Sequence, residues 1–355
     1  MLPVFVWPRS EAASRVEEDA PPASQPADAN RGKSLGAGDS ETTTTIEQPT
    51  PELESAVARG LEWLEKQQLP DGSFGGQSQY GRHVGITSLG GIAFVAEGSL
   101  PGRGRYARVV DLCLKFVLDS CSEQSGLITA ETSYGPMYGH GFATLFLAEV
   151  YGTSARSELR EKLQKAVALI VRTQNEQGGW RYHPVRADAD ISVTICQIMA
   201  LRAARNAGIA VPKSTIDRAI KYVQDSQESD GGFRYMLDSS GSMFARSAAG
   251  VAALQYAGVY DTAPIQRGIA YLERFTPGLT EEQTHYFYGH YYAAQAMFQA
   301  GGSHWDRWWP AIRDELISKQ LTDGSWRGQA GSEYGTAMAL IILQIPKQTL
   351  PIFQR

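Results

Sequence analysis

Apolar residues along most of the chain follow two alternating helical patterns. One is amphipathic, with apolar residues at i, i+3, i+4 and i+7, as at Leu159, Leu163, Val167 and Ile170. The other is almost uniformly apolar, as in residues 191–205. A helix with one apolar face lies at a surface, whereas a helix that is apolar all round is buried. The alternation therefore predicts an outer and an inner layer of helices.

A short corner motif, Gln-x3-Gly-x-aromatic, follows the amphipathic helices. Copies begin at Gln68, Gln174, Gln227 and Gln320, and the step from Gln174 to Gln227 is 53 residues. Two weaker copies fall at the expected spacing, at Cys121…Gly126 and Arg274…Gly278. Such a fixed period indicates a repeat architecture, here of six helical hairpins.

The residue types of the motif suit a structural corner. Glycine readily adopts the left-handed conformation that ends a helix, and the glutamine amide can pair with open backbone groups. The aromatic side chain can cover this polar cluster. We therefore predict an all-α protein in which residues 52–350 form an (α/α)6 toroid, with the second helices as the inner ring.

Residues 1–51 differ from the rest of the chain in composition. They are rich in Ser, Thr, Pro, Ala and acidic residues and show almost no apolar periodicity after Trp7. Such a segment buries too little apolar surface to offset its ordering entropy, so we predict a disordered leader or linker.

Charge and cysteine content exclude several classes of function. The net charge is −5 and no basic cluster is present, so nucleic-acid binding is not expected. The three cysteines, Cys113, Cys121 and Cys196, lack metal-ligand spacing, so we expect no disulfide framework, no metal site and no cofactor.

The sequence contains no apolar run of 18 residues, so no transmembrane helix is predicted. Residues 2–7 are too short for the apolar core of a secretory signal and follow no basic segment. We expect a cytoplasmic protein by default, and an exported one if translation starts further upstream. The sequence does not identify a partner subunit.

The corner motif at these positions resembles the QW repeat of the squalene–hopene and oxidosqualene cyclases, from about residue 52 to 346. Protein prenyltransferase β subunits have a similar toroid with a zinc site built on an Asp-x-Cys pair and a distant His, but we do not expect this chain to be a zinc prenyltransferase. Full-length triterpene cyclases also have a second α-barrel domain, and this chain is roughly half their length. The resemblance implies a toroid with a central cavity for an isoprenoid.

The third repeat resembles the bacterial cyclases most closely. Its Gly-Gly-Trp is followed by Asp188-Ala189-Asp190-Ile191-Ser192, where that family has Asp-x-Asp-Asp-Thr, whose middle acid protonates the polyprene. The resemblance implies that Asp190 is the catalytic acid and Asp188 its partner, although Ile191 and Ser192 depart from the pattern.

To stay protonated near pH 7, Asp190 needs a pKa raised by about 3 units, or roughly 4 kcal/mol. Burial and a neighbouring carboxylate at Asp188 raise the pKa, while a helix N-terminus lowers it. The alternative is that Asp190 only caps the helix that begins at Ile191.

Aligned on their starts, the inner helices place polar residues at one level of the ring. The equivalent positions are Ile86, His140, Val193, Arg246, His290 and Thr336. Because Tyr-Gly-His occurs in repeats two and five, we predict that His140, His290 and Arg246 line one mouth of the cavity. The expected aromatic neighbours are Tyr138, Phe244, Tyr288 and Tyr334. The alternative is that the tyrosines fill the core and the histidines bond to backbone.

Two functions remain open. The first is a terpene-cyclase-like toroid for a polyprenyl or other apolar ligand, with isomerisation or cyclisation started by protonation from Asp190. The second is a non-catalytic binding or scaffold toroid with a degenerate active site. Sugar-active α/α barrels use a carboxylate pair, for which Glu131 and Asp188 are candidates.

Overall fold

The computed structural model describes residues 49–76, 78–130, 135–278 and 285–354. Twelve α-helices and two short 3₁₀ helices, with no strand, make up these ranges. The outer helices are α1 (Pro51–Gln67), α3 (Ala107–Asp119), α5 (Glu158–Thr173), α7 (Lys213–Asp225), α9 (Ala263–Glu273) and α11 (Gly302–Lys319). The inner helices are α2 (Val84–Glu97), α4 (Pro136–Val150), α6 (Ile191–Asn206), α8 (Phe244–Tyr256), α10 (Tyr286–Ala300) and α12 (Ser332–Gln344).

The inner helices form a closed ring. Each packs against the next in the order α2, α4, α6, α8, α10 and α12, and α12 packs against α2. Most of their residues are buried, whereas α5 buries one face through Leu159, Leu163 and Ile170. The predicted (α/α)6 toroid is therefore confirmed, and an open solenoid is excluded because the last repeat meets the first.

The glutamine of each full corner motif joins neighbouring repeats. Gln174 Nε2 donates to the carbonyl oxygen of Gly178 at 2.8 Å and to that of Thr215, in the next outer helix, at 2.9 Å. Gln68, Gln227 and Gln320 make the same pair of bonds. Gln320 reaches Ala56 in α1, so this bond also closes the ring.

The corner glycine packs directly against the backbone of the next outer helix. Gly178 has φ +99°, and a Cβ placed there would lie 2.3 Å from the carbonyl oxygen of Arg218. Four other corners have the same close approach, at Gly72, Gly126, Gly231 and Gly324. The weak copy at Gly126 is thus a true corner, and glycine is required by both conformation and space.

The C-terminal segment covers the end of the toroid where the inner helices finish. It holds two 3₁₀ helices, η1 (Ile345–Lys347) and η2 (Pro351–Phe353). Gln299 Nε2 donates to the Phe353 carbonyl oxygen at 2.7 Å. Beside η2 lies Glu149, whose carboxyl is buried and accepts from the Ile352 backbone. The packed unit therefore continues a few residues past the predicted end at 350.

The predicted leader lies outside the described residues except for residues 49–51. Thr50 caps α1, its hydroxyl accepting the Leu53 N–H at 3.2 Å, and Pro51 is the first residue of the helix. Proline suits this position because its missing N–H has no partner there in any helix. The helical unit thus begins at the last two residues of the predicted leader. None of the described helices is long and apolar enough to cross a bilayer.

Gly178→Ala tests the corner. The substitution forces an alanine into the left-handed region and onto the Arg218 carbonyl, so we expect a loss of at least about 2 kcal/mol in unfolding free energy, measured by urea titration. Gly208→Ala is the matched control, because Gly208 has φ +79° but open space around its Cβ position. It should lose only about 1 kcal/mol. Equal losses would contradict the packing role of the corner glycine.

Glu149→Gln tests the buried acid beneath η2. Burial raises the Glu149 pKa to about 8, against 4.5 for the free side chain. Between pH 4.5 and 8 the folded protein therefore holds a proton that the unfolded chain has released, so stability falls as pH rises through this window, by up to about 5 kcal/mol.

Glutamine cannot ionise. We therefore expect the variant to match the wild type at pH 4.5 and to melt at a higher temperature at pH 9. A difference in melting temperature that does not change with pH would show that Glu149 is not a buried neutral acid.

Candidate functional site: a central cavity at the start of the inner helices

A cavity of about 670 Å³ lies at the end of the ring where the inner helices begin. Every inner helix contributes at least one residue of its first turns. One from each is Ile86, Phe142, Ser192, Arg246, Tyr288 and Tyr334. Because these residues come from all six repeats, the cavity exists only when the ring is closed.

Tyrosine dominates the cavity wall. Six tyrosines line it, namely Tyr80, Tyr138, Tyr182, Tyr235, Tyr288 and Tyr334. Tyr138 and Tyr288 meet edge to face with ring centres 6.5 Å apart, and the Tyr288 hydroxyl donates to the Ser192 carbonyl at 2.8 Å. Burial raises the pKa of both tyrosines well above its usual value, so both stay neutral. The wall is thus aromatic, with hydroxyl groups at fixed points.

Four of the residues predicted at the cavity line it, namely Tyr138, Tyr288, Tyr334 and Arg246. Arg246 is tied to backbone, its Nε donating to the Phe233 carbonyl at 3.1 Å and its Nη2 to that of Gly241 at 2.7 Å. Partial burial lowers the Arg246 pKa. None of the described residues that line the cavity carries a carboxylate.

His140 does not line the cavity, so its predicted position is corrected. The ring is fully buried: its Nδ1 accepts the Ile128 N–H at 3.1 Å, and its Nε2 lies 3.2 Å from the Ala166 carbonyl oxygen. The Nε2 therefore carries the proton. Burial lowers the His140 pKa to about 4, so the ring is neutral. The residue is a satisfied core histidine.

The other repeats show why histidine stands at position 140. In four of them a hydroxyl accepts the N–H of the corner aromatic residue, as Thr194 Oγ1 does for Trp180 at 3.0 Å. Thr87, Ser247 and Thr336 do the same for their own corners. In the second repeat His140 replaces the hydroxyl residue, and its Nδ1 accepts the N–H of Ile128. The predicted alignment was therefore wrong by one residue at Ile86, Val193 and Arg246, which precede these hydroxyl residues.

His290 and Phe244 also lie in the core and not at the cavity. The His290 ring packs on Phe244, with ring centres 4.8 Å apart, and on Tyr286 at 4.5 Å. Burial lowers the His290 pKa to about 3. Phe244 in turn stacks on Trp308. The two histidines thus do not face each other across the cavity, because each lies two residues after a cavity-lining tyrosine, Tyr138 or Tyr288, and two residues along a helix turn a side chain by about 200°.

Asp190 is buried next to the cavity, behind Tyr235. It caps α6, its Oδ1 accepting the Val193 N–H at 2.8 Å. Its Oδ2 accepts from the Tyr235 hydroxyl at 3.3 Å and lies 3.7 Å from Arg181 Nε. Burial raises the Asp190 pKa to about 6 against the opposing effects of the Val193 N–H and of Arg181. The capping role is therefore real, and the carboxyl remains more basic than a free aspartate.

Asp188 does not act on Asp190 as predicted. Its side chain is about half exposed and pairs with Arg181 on the outer side of the segment. Arg181 lies between the two acids, so the neighbouring carboxylate does not raise the Asp190 pKa; burial does. Arg181 also lies over the Tyr182 and Tyr235 rings, at 5.2 and 5.9 Å from their centres.

Ser192 is the residue of this segment that lines the cavity. Thr194 occupies the same corner-bonding place as Thr87 and Thr336. If the Thr of Asp-x-Asp-Asp-Thr is superimposed on Thr194, the first acid falls on Asp190 and the middle acid on Ser192. The position that faces the ligand in that motif then carries a hydroxyl and not a carboxyl.

Sequence reasoning missed several cavity residues, among them His83, Tyr182 and Tyr235. A signal for the two tyrosines was available. Gly-Gly-Trp-Arg-Tyr in the third repeat and Gly-Gly-Phe-Arg-Tyr in the fourth place Tyr182 and Tyr235 at equivalent positions. Their hydroxyl groups share a short hydrogen bond. A signal also existed for His83, because His83 and His285 both directly precede an inner helix and both line the cavity, although only the His83 side chain bonds to the N–H groups of its helix.

Comparison with known proteins agrees with this architecture. Residues 143–299 match the squalene-hopene cyclase C-terminal domain. Drimenyl diphosphate synthase from Streptomyces showdoensis is 33% identical over 91 residues, which is 26% of this chain and only 16% of that protein.

Among solved structures, a variant of the type II terpene cyclase MstE from Scytonema, in complex with geranylgeranyl dihydroxybenzoate, superimposes with a TM-score of 0.59. The identity is 14%, over 84% of this chain and 98% of that one. D-mannose isomerase gives 0.61 at 11% identity, over 86% and 100%. The fold is therefore shared with sugar-active enzymes as well. The resemblance predicted from the corner motifs is confirmed: residues 143–299 are similar to the squalene-hopene cyclase C-terminal domain, and the fold is an α/α toroid like that of the type II terpene cyclases.

Proposed function

We propose that the central cavity binds an isoprenoid chain. The observation that carries this proposal is the aromatic cavity of about 670 Å³, open at one end, to which all six inner helices contribute. A five-carbon unit occupies roughly 130 Å³ at the density of organic matter, so the cavity holds about five units. Ligands of about 15 to 25 carbons match this volume.

The walls suit such a ligand better than a sugar. Glycosidases place two carboxyl groups at the substrate, roughly 5–10 Å apart. The described cavity wall offers none, and Glu131, one of the two predicted candidates, lies outside the described residues. Aromatic faces, in contrast, pack well on an apolar chain.

Ala245→Phe tests this function by filling the cavity, which Ala245 lines. We expect the affinity for geranylgeraniol, measured by quenching of tryptophan fluorescence, to fall at least tenfold, or about 1.4 kcal/mol. Ala210→Phe is the control, because Ala210 is exposed just beyond the far end of α6. It should bind as the wild type does. Unchanged binding in Ala245→Phe, with an intact far-ultraviolet spectrum, would place the ligand elsewhere.

The second candidate function is catalysis, and the observation in its favour is the Asp190 carboxyl with its pKa of about 6. Tyr235 bridges this carboxyl and the cavity. In a protonation-initiated reaction, Asp190 would give its proton to the Tyr235 oxygen as Tyr235 passes its own proton to a ligand double bond. The resulting cation would later lose a proton, so that the net reaction is an isomerisation or a cyclisation.

Asp190→Asn and Tyr235→Phe separate this candidate from a purely binding toroid. Asparagine keeps the helix cap but cannot supply a proton. We expect both variants to bind geranylgeraniol normally and to lose product formation, followed by gas chromatography of extracts. Because the acid form is the active one, wild-type turnover should fall about tenfold per pH unit above pH 6. Ligand binding without any product in the wild type would show a non-catalytic toroid.

A further inference from the structure

His83 has its two ring nitrogens in different environments. It caps α2, and its Nδ1 accepts the Gly85 N–H at 3.1 Å and the Ile86 N–H at 3.4 Å. An Nδ1 that accepts these bonds carries no proton. In the neutral ring the proton therefore sits on Nε2, which becomes a hydrogen-bond donor. Burial lowers the His83 pKa, so the neutral form prevails at pH 7.

The remaining donor of His83 belongs to the cavity. The residue lines the cavity wall, with its ring edge to face against Tyr80 at 5.9 Å between centres. None of the hydrogen bonds between described residues involves the His83 Nε2. The helix cap fixes the ring, so the direction of this N–H is set before any ligand enters.

The cavity wall otherwise favours a ligand with hydrogen-bond acceptors. Arg246 is a second donor, on α8, which lies opposite α2 in the six-membered ring. No carboxylate competes for these donors in the described part of the wall. His83 is half-buried, and a pure hydrocarbon that displaced water from its N–H would leave this donor without a partner, at a cost of about 1–3 kcal/mol.

We propose that His83 binds an oxygen atom of the ligand through Nε2–H, and hence that the ligand is an oxygenated isoprenoid and not a hydrocarbon. The oxygen belongs to an alcohol, ether, carbonyl or carboxylate group. This inference rests on the proposed isoprenoid binding and names the ligand class more closely. His83 is then a specificity-determining residue.

The test compares two ligands of equal length, geranylgeraniol and its hydrocarbon counterpart without the hydroxyl group. The variant is His83→Ser, because serine also caps helices but cannot reach into the cavity. The wild type should bind the alcohol about tenfold more tightly than the hydrocarbon. His83→Ser should lose this preference and bind the hydrocarbon within about threefold of the wild type. The matched control, His183→Ser, changes an exposed histidine outside the cavity and should keep the preference.

The outcomes are distinguishable. If His83→Ser weakens both ligands equally, His83 has only a structural role and this inference is overturned while isoprenoid binding stands. A wild type without preference for the alcohol overturns it as well. If neither ligand binds the wild type, the proposed function itself fails.

Discussion

The bond between the sixth corner and the first outer helix is the constraint on which this structure depends. Inner helices that are apolar all round can be buried only if each has two inner neighbours, and an open array would leave α2 and α12 exposed. Gln320 and Gly324 meet the backbone of α1 just as Gln174 and Gly178 meet that of α7. The glycine contact, repeated at five of the six corners, helps to turn a linear repeat into a ring, and the cavity is a consequence of closure.

In the first turn of the inner helices, adjacent residues have different roles: one bonds to its corner, and its neighbour can lie at the cavity. Thr87, Thr194 and Ser247 bond to their corners, while the residues one place earlier in α2 and α8, Ile86 and Arg246, face the cavity.

The sequence was sufficient to predict the repeat and the ring, because glycine, glutamine and aromatic residues recur at fixed spacing. It was insufficient for the site. A recurring Tyr-Gly-His looks like a functional pair, but histidine and threonine both accept the same backbone hydrogen bond, and only coordinates reveal that His140 does so. For the same reason the sequence alone did not indicate the role of His83, because that role depends on which of its ring nitrogens accepts the N–H groups of the helix.

Asp190, the acid of the third repeat, does not line the cavity, so it can act on a ligand there only through another group such as Tyr235. Raising the Asp190 pKa to about 6 corresponds to roughly 3 kcal/mol of destabilised anion, which burial supplies against the helix cap and Arg181. Such a carboxyl group is partly protonated near neutral pH. It does not line the cavity, whereas Ser192 and Tyr235 do. In the described part of the wall, tyrosine rings and fixed hydrogen-bond donors are therefore the groups that a ligand would meet, and no carboxylate is among them. This composition favours an apolar chain that carries an oxygen atom.

The most direct test of isoprenoid binding in the central cavity is photoaffinity labelling with a diazirine-bearing geranylgeranyl probe, read by peptide mass spectrometry. Labels should fall on the peptides that hold Leu89, Phe142 and Tyr288, on three different inner helices, and an excess of geranylgeraniol should remove them. Labels confined to the smaller groove around Leu53 and Trp309, on the outer face beside α1 and α11, would contradict the account.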